Sequence, residues 1–174
     1  DAGTWGANVP KYSWTPIEKF AGTFDGQGHT ISGLYGKAHE TPMALFINTE
    51  EYAIVRNLKL VNSYMTTKGS SGTASFVVNG AGTFEKLYSD AIIDHDGDRV
   101  AGIASRNSKN MTINECWYDG VINATRTQIG GIVDIIIKGN TVINHSLFSG
   151  TISSSFTTND TDQEGIFVGG ICGT

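Results

Sequence analysis

Proline is nearly missing from this chain, at 3 of 174 residues, which suits strands that need almost every backbone N–H for ladder bonding. An α-helical signature is missing as well, since no apolar period of 3.6 residues holds for more than a turn or so. The longest apolar stretch, Gly130 to Ile137, falls far short of the roughly 20 residues that a helix needs to cross a bilayer. Positive charge is scarce: Lys and Arg total 12 against 17 Asp and Glu, for a net charge of -5 and an isoelectric point near 5.2. Nucleic-acid binding leans on a basic stripe and none is visible, so a DNA or RNA partner is not expected. The only cysteines, Cys116 and Cys172, have a spacing that matches no zinc or redox motif. His29, His39, His95 and His145 stand apart with no i,i+4 pair, so no zinc centre is expected from them. No G-x-S-x-G nucleophile elbow occurs.

What the chain has in quantity is glycine, 22 residues, consistent with many tight turns. It also repeats itself. The stretch Val100 to Ile122, VAGIASRNSKNMTINECWYDGVI, opens with small residues and an aliphatic (Ala101, Gly102, Ile103), passes a polar turn, and closes with a β-branched start and a second small-residue turn. Gly130-Gly131-Ile132 leads in the same way to Ile143, Ser146, Phe148 and Gly150, and Ala74-Ser75-Phe76 leads to Phe84, Leu87 and Ser89. Ala44-Leu45-Phe46 leads to Val55, Leu58 and Leu60, and Gly169-Gly170-Ile171 opens one more copy. The starts at 44, 74, 101, 130 and 169 are 30, 27, 29 and 39 residues apart, a period that signals a solenoid. Short strands in each copy bury their apolar side only by lying parallel on the copy before. The expectation is a single all-β domain, a right-handed parallel β-helix of about five to six coils, with the hand following from the rule for parallel crossovers. Residues 1–19, with Trp5, Tyr12 and Trp14, read as an end cap or incomplete coil, and 20–174 as the repeats.

Stacking the copies on their apolar residues gives two inward columns, Val55, Phe84, Ile113, Ile143 and Leu58, Leu87, Cys116, Ser146. The outward neighbours then read Arg56 over Glu85, Lys86 over Glu115, and Glu115 over His145, opposite charges that favour this register. Coils about 4.8 Å apart place residues two copies distant near 10 Å or more, whereas a disulfide needs Cα atoms within about 7 Å. Cys116 and Cys172 are therefore expected to be free, mostly buried thiols.

The string WTPI, a short spacer, and then F-x-GTFDGQGHTISGLY from Phe20 to Tyr35 resembles the opening rungs of the GLUG-type β-helix repeats of bacterial surface proteins, including those accompanying IgA-specific metalloproteases and adhesins. The later copies VAGIASRNS…INECWYDGVIN, IGGIV…INHSLFSGTIS and VGGICG are similar to that family's G-G-L-V-G…I-x-N-C/S…G-x-I pattern. The likeness runs from about Trp14 to Thr174. It departs at Asp134 to Ile137, where apolar residues replace a Gly-Asn turn, and at the insertion Ser154 to Gly165. The resemblance implies an extracellular segment of a bacterial cell-surface protein, a stalk or adhesion module that works beside other domains of the same chain and meets a host glycan or protein. A start at Asp1 without Met and an end inside a repeat fit a segment of something longer.

Three constellations carry possible chemistry. The outward column Lys59, Tyr88, Trp117 and Leu147 offers Tyr88 and Trp117 as a stacking or docking patch, because these rings supply large contact area; packing against loops is the plainer alternative. Asp90 lies over Asp119, with Val61 below and Ser149 above. Two carboxylates about 5 Å apart suit retaining glycoside hydrolysis, which makes a carbohydrate-active enzyme the alternative function. Asp is also common at such turns for backbone hydrogen bonding, and no G-H-G or R-I-K string of the polygalacturonase kind is present. Asp94, Asp96 and Asp98 alternate like the first ligands of a calcium loop, yet the twelfth position is Ser105 where a bidentate Glu is needed. A solvated turn of Gly and Asp is the favoured reading of the three over calcium, and no cofactor is expected. Loops at 94–98 and 157–165 are expected to cluster on one face.

Overall fold

The computed structural model describes residues 9–69, 72–125, 128–155 and 167–173. Among the described residues every regular element is a strand. The first coil holds β1 (Ile17–Phe20), β2 (Thr23–Asp25), β3 (Thr30–Ser32) and β4 (Tyr35–Lys37), and the second β5 (Phe46–Thr49), β6 (Ile54–Val61) and β7 (Tyr64–Lys68). The third is β8 (Val77–Ser89) and β9 (Ile92–Asp96); the fourth is β10 (Val100–Ala101), β11 (Ala104–Asn114), β12 (Trp117–Tyr118) and β13 (Val121–Ala124). The fifth contains β14 (Gln128–Gly130), β15 (Val133–Ile136), β16 (Thr141–Asn144), β17 (Leu147–Phe148) and β18 (Thr151–Ser154), and β19 (Phe167–Gly169) follows it. These strands form three parallel sheets that run along the coil axis: one of 11 strands, one ordered β18-β13-β9-β7-β4, and a narrow one ordered β10-β14-β19. The chain is a β-solenoid of about five turns.

The register is the one the apolar columns require. Leu58 pairs with Leu87, Val55 with Phe84, Phe84 with Ile113, and Ile113 with Ile143. Cys116 follows in the Leu58 column and is fully buried, and its backbone N–H donates to Ser146 Oγ at 3.1 Å. Between Val55 and Leu58 the inward positions are three residues apart, which simple alternation along a strand does not allow. A bend resolves it: Asn57, Lys86, Glu115 and His145 occupy equivalent positions, and each has a positive φ, between 47° and 54°. Gln27, at 51°, makes the matching bend in the first coil. Asn takes this left-handed conformation readily, whereas Lys and Glu take it at a cost of about 1 kcal/mol.

The recurrent small residue at each repeat start also has a steric cause. A Cβ on Gly102 would lie 2.3 Å from the carbonyl oxygen of Gly131 and 2.3 Å from the ring of Tyr118. Tyr118 is fully buried and stacks on Phe148 with ring centroids 6.2 Å apart, and Phe148 is the ring that a Cβ on Gly131 would strike.

Several expectations change. Arg56 does pair in register with Glu85, but its guanidinium turns to the preceding coil and meets Asp25 Oδ2 at 2.9 Å. The Asp25 turn offers more: its Oδ1 also accepts from Asn57 Nδ2 at 3.0 Å. Lys86 Nζ is 3.9 Å from Glu85, its neighbour along the strand. The run beginning at Asp94 is not a loop, because Asp94 and Asp96 belong to β9, paired with β7 and β13. The second acidic stretch, 157–165, lies outside the described residues, as does Trp5. Within the segment read as a cap, β1 is already part of the first coil and pairs Ile17 with Phe46. Trp14 packs against the core and its Nε1 donates to Ala44 O at 3.1 Å, while Tyr12 is exposed. Cys116 and Cys172 are not bridged to each other; Cys116 is buried and Cys172 only partly buried.

Candidate functional site

Lys59, Tyr88, Trp117 and Leu147 stand in one outward row, each paired with the next across adjacent coils. The Tyr88 and Trp117 rings meet edge to face, with centroids 5.1 Å apart and planes at 73°. Trp117 remains 42% exposed and Leu147 51%, so the row faces solvent. The indole is anchored: Trp117 Nε1 donates to Ser149 Oγ at 2.6 Å, and that hydroxyl donates to Asp119 Oδ1 at 2.6 Å. One hydroxyl serves as acceptor and donor at once, which holds the ring in place.

Beside this row runs a groove of about 520 Å³. Its origin is the bend described above. The left-handed residues Gln27, Asn57, Lys86 and Glu115 swing outward and form one wall, Lys59, Tyr88 and Trp117 form the other, and Leu58 and Leu87 lie between them. The wall residues at the bend are polar or charged, and the facing wall carries the two aromatic rings.

Asp90 and Asp119 lie on the far side of the aromatic row, next to the paired residues Ser89 and Tyr118. They are adjacent as the register requires, and each has a local partner. Asp90 Oδ1 accepts the Asn62 N–H at 2.7 Å, and Asp119 Oδ1 accepts from Ser149. Asn62 has a φ of 47°, so the Asp90 carboxylate caps a strained corner of the coil below. The Tyr88 phenol is pushed above its usual range by burial and then by the charges of Asp90 and Asp119.

No family model, curated protein or solved structure matches the chain.

The aspartates on the neighbouring sheet are engaged in ladders between coils. Asp94 Oδ2 accepts from Tyr64 Oη at 2.5 Å, and its Oδ1 accepts from Asn123 Nδ2 at 2.7 Å. Asp96 Oδ1 accepts from Thr125 Oγ1 at 2.8 Å, and Oδ2 lies 3.3 Å from Lys68 Nζ. Asp94, Asp96, Asn123, Thr125 and Lys68 line a second, smaller hollow of about 290 Å³. The backbone carbonyl of Asp98 meets His95 Nε2 at 2.6 Å, and His95 Nδ1 meets Thr73 Oγ1 at 3.0 Å. Burial pulls the His95 imidazole below its usual value. Among the described residues no group of three or more His, Cys, Asp or Glu is arranged to hold a metal ion. Burial pushes the Cys116 thiol up to about 12, far from a reactive thiolate.

Of the groove residues, sequence reasoning picked out Tyr88 and Trp117 and placed Lys59 in their row. It did not connect Gln27, Asn57, Lys86 and Glu115 with them. The signal was present in the three-residue step between inward positions, Val55 to Leu58 and Phe84 to Leu87, which demands a bend and therefore an outward wall.

Proposed function

We propose that this solenoid is a non-enzymatic extracellular binding module of a bacterial surface protein, of the GLUG repeat type, and that it binds a glycan along the groove beside Tyr88 and Trp117. The observation that carries this reading is the anchored Trp117 indole, set edge to face against Tyr88 on the wall of an open groove. A pyranose has an apolar C–H face and a rim of hydroxyls. Aromatic rings serve the face, and amide or charged side chains serve the rim. Asn57 and Gln27 supply the amides here. A ring already fixed by Ser149 loses little freedom on binding, which favours affinity. The hydrogen bonds made by Asp90 and Asp119 support a structural role for that pair, to corner and anchor the coils.

A glycan array read with wild-type protein and with Trp117→Ala tests the proposal. Binding by wild type and at least a tenfold loss in Trp117→Ala, with the circular dichroism spectrum unchanged, is the expected result. Release of shortened oligosaccharide, abolished by Asp119→Asn, would replace this reading with hydrolysis.

A further inference from the structure

Charge is distributed unevenly along the groove. Three lysines are closely neutralised: Lys19 and Lys109 lie 3.0 and 3.1 Å from Glu50, and Lys68 lies 3.3 Å from Asp96. Lys59, exposed and next to Tyr88 in the aromatic row, has no ion-pair partner among the described residues. Lys86 stands two residues before Tyr88 on β8 with its nearest carboxylate oxygen 3.9 Å away, at the outer limit of an ion pair. Two ammonium groups thus flank the tyrosine end of the groove with no carboxylate oxygen closer than 3.9 Å among the described residues, while the Asp90 and Asp119 carboxylates across the aromatic row are engaged by Asn62 and Ser149. At the tryptophan end the wall residue is Glu115.

We propose that the groove selects a saccharide bearing a carboxylate, a uronic or sialic acid residue. Its acid group lies between Lys59 and Lys86, and its ring lies against Tyr88 and Trp117. The inference rests on the glycan-binding reading and adds the ligand class and its direction. Glu115 repels a carboxylate at the tryptophan end and accepts from hydroxyls there, so the acidic residue is held toward Lys59. An ammonium–carboxylate contact is roughly twice as strong as a neutral hydrogen bond, and at a partly exposed site it is screened by salt.

The test is titration calorimetry with matched pairs, oligogalacturonate against the neutral galactose oligomer and sialyllactose against lactose. It is run on wild type, Trp117→Ala, Lys59→Met and Lys86→Met at low and high salt. Methionine keeps the apolar stem of each lysine, so packing is retained. The expected result is at least tenfold tighter binding of one acidic member than of its neutral partner, erased by either lysine variant and weakened by salt. Which acidic member binds tells uronate from sialate. Equal affinity for acidic and neutral members, lost in Trp117→Ala and unchanged in Lys59→Met, overturns the inference and leaves glycan binding standing. No binding of any of the four sugars overturns both.

Discussion

Asp134 is fully buried, yet among the described residues neither of its carboxylate oxygens has a hydrogen-bond partner. Burial pushes the group up to about 8; Arg99 pulls it down, Asp98 pushes it up, and Arg106 pulls it down again. Between the ordinary carboxyl value of 3.8 and about 8, the folded chain keeps a proton that the unfolded chain has released. Stability is therefore fully present below 3.8 and falls as pH rises through that window, by up to about 1.4 kcal/mol per pH unit. Asp134→Asn is nearly isosteric and does not titrate. The wild-type urea midpoint is expected to fall relative to the variant's as pH rises from 5 to 8; comparison with the variant cancels the opposite trend of the buried His95 imidazole at the acid end. Parallel curves for the two proteins would show that Asp134 ionises in the fold as it does in the open chain.

At the scale of one element, the turn opening each coil faces the strand closing it across the interior. In the fourth coil the pair is Gly102 with Tyr118, and in the fifth Gly131 with Phe148. In the third, the equivalent residues are Ser75 and Ser89, whose hydroxyls meet at 2.8 Å in the interior. In the second they are Leu45 and Leu60, both in the core. Glycine stands where the facing residue is an aromatic ring, and serine or leucine where it is not. Gly102→Ala drives a methyl against a ring and a backbone carbonyl at once, and a backbone oxygen cannot rotate away. Overpacking of this kind costs about 3 kcal/mol, read as a lowered denaturant midpoint; a loss under about 0.5 kcal/mol would mean the coils separate to admit the methyl. The repeat of small residues was legible in the sequence, and so was the coil register, because both follow from spacing along the chain. The reason for the glycines was not, since Gly102 and Tyr118 meet across the coil interior. Side-chain direction was illegible for the same reason: the register set Arg56 beside Glu85, but a long side chain reaches either neighbouring coil, and the Asp25 turn drew it the other way.

For the molecule as a whole, a solenoid's coils stabilise one another mainly through nearest neighbours, so protection should follow the number of neighbours each strand has. β8 is paired along its length on both sides, with β5 and β6 below and with β11 and β12 above. β16, β17 and β18 each pair on one side among the described residues, with β11, β12 and β13. Their inward residues Ile143, Phe148 and Ile152 are only partly buried, and Val142 is 46% exposed. The core beneath them, Phe84, Ile113 and Tyr118, is fully enclosed. Local opening of β16–β18 uncovers one side of a single coil, whereas opening β8 takes the third coil and both of its neighbours with it. Native-state amide exchange on the 174-residue chain is expected to be slowest in Val77–Leu87 and at least about a hundredfold faster in Thr141–Ser154, because local opening has a smaller free energy than global unfolding. The groove belongs to the protected part: Lys59, Lys86, Tyr88 and Trp117 are carried on β6, β8 and β12, which are paired to one another. Equal protection in the two segments would indicate a single cooperative unit. The groove would then draw its rigidity from the whole shaft rather than from its three central coils.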